Sequence, residues 1–297
     1  MSRPASIIGI GQVTLDVQAW HEPPYSVGAG GTVVNVLARL AACGWQTLLL
    51  ARLGRDPAGD ILRADLERAR IGCQGVLQEE QVATAVVVQE AFGPQPRYST
   101  RCPQCGADLP DVAEPALPVP LPDPPSVFFF DRDSPTALHL AKHYRAAGSL
   151  IVYEPNYVGP EVPLDCCLSL AHVLQCSAEA VPGLADYARH VPLVVETVAA
   201  DGLRWRENGQ AWNRLAAPAI ADLRDTTGCG DALTAAMLDG WHQGREWAWA
   251  IEQSQQAAAR KACYVGARGD LLHEPPQTAA AAVFCPSCRS AKKMGLV

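Results

Sequence analysis

Asp225-Thr-Thr-Gly-Cys-Gly-Asp231, followed directly by Ala-Leu-Thr-Ala-Ala-Met-Leu, is the stretch around which the chain is organised. The apolar run 219–223 reads as a strand entering it, and 231–241 as an amphipathic helix leaving it. Gly228 and Gly230 bracket Cys229, so the turn can take backbone angles closed to other residues. A turn of this kind at a helix start leaves several N–H groups free and adds the positive end of the helix dipole. That is an anion site, suited to phosphate. Asp231 stands at its edge. A carboxylate repels phosphate, so it makes sense there as a general base, taking a proton from a hydroxyl that attacks phosphorus. A bare Gly-x-Gly-Asp would read as a tight turn with an Asp cap; the seven-residue stretch is more specific.

The rest of the chain supplies a setting for such a turn. Its 297 residues can bury a large α/β core. The net charge of −7 and the lack of any Lys/Arg run argue against nucleic acid or an anionic membrane as partner. Residues 5–13 form an apolar strand rather than a signal peptide, and no stretch is long enough to span a bilayer, so the expected compartment is the cytoplasm. Strands read at 7–13, 46–52, 84–91, 127–130, 150–153, 172–176 and 193–197. Helices read from Thr32 to Cys43, from Asp56-Pro57 to about Ile71, from Ser134-Pro135 to Gly148, and from Ser177 to about Arg189. A hairpin turns at Asn208-Gly209. This alternation predicts a parallel sheet covered on both faces, with ligands at the carboxyl ends of its strands. Asp16, Glu154, Thr197 and the Asp225 turn all fall at such ends.

The stretch 225–231 resembles the C-terminal signature of the ribokinase-like carbohydrate kinases (phosphofructokinase-B type), Asp-Thr-x-Gly-Ala-Gly-Asp, with Cys229 in place of Ala. The resemblance extends over residues 5–270. Gly30-Gly31-x-x-x-Asn35 is similar to the family's Gly-Gly-x-x-x-Asn, and Gly54, Asp56 and Gly59 to its Gly-x-Asp-x-x-Gly. Glu154-Pro-Asn156 resembles its Asp-Pro-Asn, with Glu for Asp. Residues 176–179 lie where it has Asn-x-x-Glu, with Cys176 for Asn and Glu179 kept. Residues 197–202 resemble its Thr-Leu-Gly-x-x-Gly, with Ala199 at the first Gly.

The resemblance implies a three-layer α/β/α fold with a mostly parallel central sheet and a small β lid. It implies a kinase domain over 1–274, with lid segments about 16–30 and 84–110, and a tail over 275–297. The implied activity is ATP-dependent phosphorylation of a hydroxyl on a small sugar or sugar derivative. Asp231 would be the base, and the amides of Gly228, Cys229 and Gly230 the anion hole. Asp16, Gly30, Gly31 and Asn35 would hold substrate. Thr197, Gly202, Asp225, Thr227, Glu179 and Asn156 would hold ATP and Mg2+, with a monovalent cation such as K+ as a further expectation. Two chains would pair through the lid. Two alternatives stay open. One is a nucleoside kinase of the same fold, with Trp20 and Tyr25 stacking on a base. The other is a non-catalytic ligand-binding protein, suggested by the departures at Glu154, Cys176 and Ala199.

Of eleven cysteines, four are patterned: Cys102-Pro-Gln-Cys105 and Cys285-Pro-Ser-Cys288. Two such knuckles supply four thiolates, which suits a tetrahedral structural Zn2+ with no open position. Because the pairs lie far apart, one site requires the tail to fold back. An iron–sulfur cluster, a site shared between chains, or disulfides are the other readings.

Overall fold

The computed structural model describes residues 5–19, 22–91, 93, 95–117, 120–156, 158–159, 162–271 and 277–294. The first half runs β1 (Ser6–Ile10), β2 (Thr14–Gln18), β3 (Tyr25–Gly30), α1 (Thr32–Ala42), β4 (Gln46–Gly54), α2 (Pro57–Arg68), β5 (Gly72–Glu79), β6 (Val86–Ala91) and β7 (Arg97–Ser99). It continues with β8 (Val127–Phe130), α3 (Pro135–Ala146), β9 (Leu150–Tyr153), α4 (Leu164–Leu170), β10 (Val173–Ser177), α5 (Leu184–Tyr187), β11 (Leu193–Thr197), β12 (Leu203–Glu207) and β13 (Asn213–Leu215). The C-terminal part holds α6 (Cys229–His242), α7 (Trp247–Lys261), β14 (Gln277–Ala279), α8 (Ala281–Phe284) and α9 (Pro286–Lys293).

Nine strands form the central sheet in the order β13-β12-β11-β10-β9-β8-β1-β4-β5. From β11 to β5 every pairing is parallel; β12 and β13 add an antiparallel edge. Side chains on these strands alternate between two apolar layers. Val127 and Phe129 join the layer of α1, α6 and α7, whereas Phe128 and Phe130 join that of α3, α4 and α5. All three phenylalanines are fully buried, and each such burial stabilises the fold by about 2–3 kcal/mol. This is the three-layer α/β/α arrangement expected of the sequence. The caps expected for α2 and α3 are also present. The Asp56 carboxylate accepts the Gly59 N–H at 2.8 Å and the Ser134 hydroxyl accepts the Ala137 N–H at 3.1 Å. A second sheet, β14-β3-β2-β6-β7, is the lid. No helix among the described residues is long and apolar enough to cross a membrane.

Several local readings need correction. The first strand ends at Ile10, and Asp16 belongs to β2 of the lid. The reason is Asp131 at the end of β8, whose Oδ1 takes the Gln12 N–H at 2.7 Å in place of a strand neighbour. Residues 219–223 form no strand; the following segment is instead held by Arg224 and Asp225 N–H groups donating to Ala262 O. The helix expected from Ser177 to Arg189 contracts to α5, since Pro182 and Gly183 interrupt it. Strand β5 and the elements of the tail were not anticipated.

Candidate active site

The elements above place a group of buried carboxyls at the carboxyl end of the central sheet. Asp231 lies in the first turn of α6 and is 8 % exposed. Its Oδ2 accepts from Asn35 Nδ2, on α1, at 2.6 Å, and Thr32 also hydrogen-bonds it. Asn35 Oδ1 has no protein partner, leaving an acceptor beside the Asp231 carboxyl. Burial raises the Asp231 pKa above the usual carboxylate range, against the lowering effects of Asn35 and Arg39. Glu154, at the end of β9, is raised as well, by burial first and then by the charge of Asp231. Its Oε2 also lacks a protein partner. Asp131 Oδ2 accepts the Val33 N–H at 2.8 Å, fixing the start of α1 beside this group, and burial pushes its carboxyl up to about 7.

Gly30 and Gly31 set the distance between lid and helix. A Cβ on Gly30 would fall on the Asp16 carboxyl, at 2.0 Å from Cγ. Gly31 has φ +96°, and its Cβ would lie 1.9 Å from Gln12 O. Asp16 is therefore packed against Gly30, with Thr14 Oγ1 donating to it at 2.7 Å. Burial lifts the Asp16 carboxyl to about 6, opposed by the Thr14 hydrogen bond and by Arg268. Among the predicted substrate residues, Asp16, Gly30, Gly31 and Asn35 thus gather around Asp231. Asn156 joins them through its Nδ2, which donates to Thr32 Oγ1 at 2.5 Å.

The anion turn is built from the other side. Gly228, at φ +80°, caps α6. Asp225 is fully buried and both its oxygens are engaged: Oδ1 accepts from Thr227 N at 3.0 Å and Thr227 Oγ1 at 2.8 Å, and Oδ2 from Gly266 N at 2.8 Å. Its contribution to any bound phosphate is therefore to hold the turn. Thr227 Oγ1 also meets two lid residues, Gln89 Nε2 at 3.0 Å and Tyr98 OH at 2.8 Å. Burial raises the Cys229 thiol to about 11, so it is neutral at physiological pH.

Thr197 and Glu179 form a separate group. Ala178 N donates to Thr197 O at 3.0 Å, while Glu179 is exposed, and no hydrogen bond joins it to Asp231 among the described residues. Gly202 closes the turn after β11, tight against Leu215 O. Ala199 sits in that turn at φ +44°, which explains why the similar family motif has glycine there. Ala199→Gly should raise stability by about 1 kcal/mol, read as a higher urea midpoint at unchanged slope.

Four positions were missed in the sequence. Asp131 had only its place at a strand end as a signal. Lys261 is fully buried behind the turn, with Nζ donating to Asp225 O at 2.8 Å and Tyr264 O at 3.0 Å; burial lowers its pKa, opposed by the neighbouring Cys229 and Asp225. Arg39 forms a bidentate pair with Asp270, both contacts at 2.8 Å. Arg268 joins the loop after α7 to Asp65 and Ala29 O. None of the three cations stands in a recognisable local pattern. Trp20 lies outside the described residues, and Tyr25 packs on Phe284 of the tail, ring centroids 6.1 Å apart, rather than lying open for stacking.

The four patterned cysteines meet within one chain. Cys102 and Cys288 sulfurs are 3.8 Å apart, Cys105 and Cys285 3.7 Å, and all four lie within 4.8 Å of one another. Thiolates around one ion at about 2.3 Å define a tetrahedron with edges of about 3.8 Å. A disulfide needs about 2.05 Å. The donor set and spacing fit one tetrahedral ion.

No family model matches the sequence. The chain is 25% identical to an uncharacterized sugar kinase of Pyrococcus horikoshii over 245 residues, 76% of this chain and 75% of the relative. It is 26% identical to a fructokinase of Klebsiella pneumoniae over 235 residues, 71% of this chain and 76% of the relative. The structure of the Pyrococcus kinase in complex with ATP matches with a TM-score of 0.70 at 21% identity, covering 88% of this chain and 93% of that one. A fructokinase double mutant of Vibrio cholerae, bound to fructose, ADP and a potassium ion, matches with a TM-score of 0.69 at 18% identity, covering 90% of this chain and 95% of that one. The chain shares the fold of these proteins.

Proposed function

We infer that the chain, a ribokinase-like carbohydrate kinase by sequence likeness and fold, transfers a phosphoryl group from ATP to a hydroxyl of a small sugar or sugar derivative. The observation that carries this reading is Asp231, buried in the first turn of α6 next to the Gly-Cys-Gly turn and held by Asn35. A substrate hydroxyl beside Asp231 gives its proton to the Asp231 carboxylate as its oxygen attacks the γ-phosphorus and ADP departs, and Asn35 Oδ1 is left to accept from a neighbouring hydroxyl. The N–H groups of Gly228 and Gly230 then face the charge on the transferred phosphoryl group, while that of Cys229, expected to join them, donates to Thr226 O at 3.1 Å and closes the turn. Lys261 steadies the turn from behind by donating to Asp225 O. Asp16 holds other hydroxyls of the substrate, and Gly30 and Gly31 leave room for Asp16 and Gln12 O against the start of α1. Thr197, Gly202 and Asn156 border the nucleotide, and Asp225 and Thr227 keep the turn in shape for it. Glu179, exposed after β10, would contact Mg2+ carried by the ATP phosphates, which would offset their charge; K+ is a further candidate cation. The reading keeps the kinase domain at 1–274 and the tail at 275–297, with the protein in the cytoplasm.

The four cysteines are read as a structural Zn2+ site with its coordination complete, which leaves no position for catalysis. ADP release from ATP and Mg2+ across sugars, sugar acids and nucleosides tests the kinase reading and separates its substrate classes. Substrate-dependent release supports it; bound ATP with no release on any acceptor counts against it.

The Asp16 carboxyl adds a pH signature. Its folded pKa of about 6 is above the ordinary value, so it is charged above that pH and protonated below it. The charged form accepts substrate hydroxyls best. The KM for the sugar should therefore rise as pH falls through about 6, while the KM for ATP stays level. A sugar KM flat across that range would remove Asp16 from the substrate site.

A further inference from the structure

The lid sheet has two unlike faces. In the β2–β3 and β2–β6 pairings Leu15 meets Ala29 and Val86, and Val17 meets Val27 and Val88; all are buried in one apolar cluster. The opposite face carries Asp16 and looks toward Asp231. Phe284 and Ala281 of the tail, with Cys102, Cys285 and Cys288, belong to the apolar cluster. Helix α2 packs on this face, and the tail lies beside α2, with β14 paired to β3 and Phe284 against Tyr25.

The two knuckles follow the two edge strands of the lid in the chain. β7 and β14 are the two edge strands of the lid. Five strands span about 19 Å from edge to edge. Cys102 follows β7 by three residues, and Cys285 directly follows α8 beyond β14, yet their knuckles meet with sulfurs at 3.7 and 3.8 Å. The tail has little else to order it: a three-residue strand and helices of four and eight residues, too short to be stable alone.

We propose that the ion held by Cys102, Cys105, Cys285 and Cys288 is a lid clamp. It ties the segment after β7 to the tail beyond β14 and keeps the tail on the β3 edge of the lid as an intramolecular cover, so the protein is a monomer. This rests on the zinc reading above. β14 occupies the β3 edge, and β7 is only three residues long, so neither edge offers a long unpaired template for a second chain. The clamp acts on the inner face too. Tyr98 lies four residues before Cys102 and touches Thr227, and Gly93 O accepts the Thr226 N–H at 3.1 Å. Release of the ion frees β7 and with it the closure over the anion turn.

The test uses the whole protein. Metal content is measured first, then the ion is removed with a thiol reagent and chelator. Tail protection is read by limited proteolysis, mass by light scattering, and kinetics with the best acceptor from the sugar panel. We expect one zinc per chain and a monomer. After release, cleavage falls within 277–294 and sugar kcat/KM drops about 100-fold, while ATP affinity holds. Cys105→Ser, at the exposed ligand, should give the same pattern in milder form. Absence of bound metal overturns the zinc reading and the clamp together. Bound metal whose removal changes neither tail protection nor kcat/KM overturns the clamp alone, as does a metal-loaded dimer. Tail protection and mass do not depend on activity, so a failed kinase reading leaves them decisive.

Discussion

Asp231→Asn should lower kcat by about 10²- to 10⁴-fold and leave ATP and sugar affinity in place. The substitution suits its surroundings. The new amide oxygen can still accept from Asn35 Nδ2, which lies 2.6 Å from Oδ2. It also removes a carboxyl whose charged form burial disfavours, so stability should hold or rise. A loss of turnover with an unchanged urea midpoint therefore reports chemistry rather than unfolding. The same carboxyl should set the acid limb of the wild-type rate. A base must be deprotonated, and its folded pKa is raised, so kcat should fall with decreasing pH above the ordinary Asp range. Asp231→Asn at wild-type rate would take the role of base away from this residue.

Gly228→Ala should be the most damaging small substitution at the site. The position has φ +80°, and an added Cβ would lie 2.6 Å from Ala267 O and 2.7 Å from Ala267 Cα. Both neighbours are backbone, in the loop that Arg39 pins through Ala267 O at 2.8 Å. The left-handed angle alone costs about 1–2 kcal/mol, and overlap with backbone brings the expected loss to roughly 3 kcal/mol. Moving the turn also turns its N–H groups away from the phosphoryl group, for a further drop of about 10²-fold in kcat. Cys229→Ala, one residue on, restores the family's residue and removes only a neutral thiol; it should leave both properties near wild type. Thermal melts and single-turnover rates on the two variants decide the matter. Equal behaviour of both would contradict the anion turn.

The central sheet was legible because its strands are short apolar runs between turn residues. β8, β9 and β11 match their expected limits at both ends, and all three are buried on both faces. The stretch 225–231 was legible because the turn and its Asp are adjacent in the chain. What sequence could not show was everything set by distant partners. Gln12 leaves the first strand for Asp131, 119 residues away. Arg268 finds Asp65 at a separation of 203. Lys261 is the last residue of α7, which was not read from the sequence, and only the fold buries it behind Asp225. The cysteine spacing announced a four-thiolate site, but the meaning of that site depends on strand order. Nothing local says that the two knuckles follow the opposite edge strands of one sheet and yet meet.

The most direct measurement is phosphorus NMR of ATP, Mg2+ and an active acceptor with the wild-type protein. The account predicts a phosphomonoester of the acceptor appearing in step with ADP, with no inorganic phosphate. ADP accompanied only by inorganic phosphate would contradict transfer to a hydroxyl, and would leave the turn at Asp225–Asp231 without its assigned chemistry.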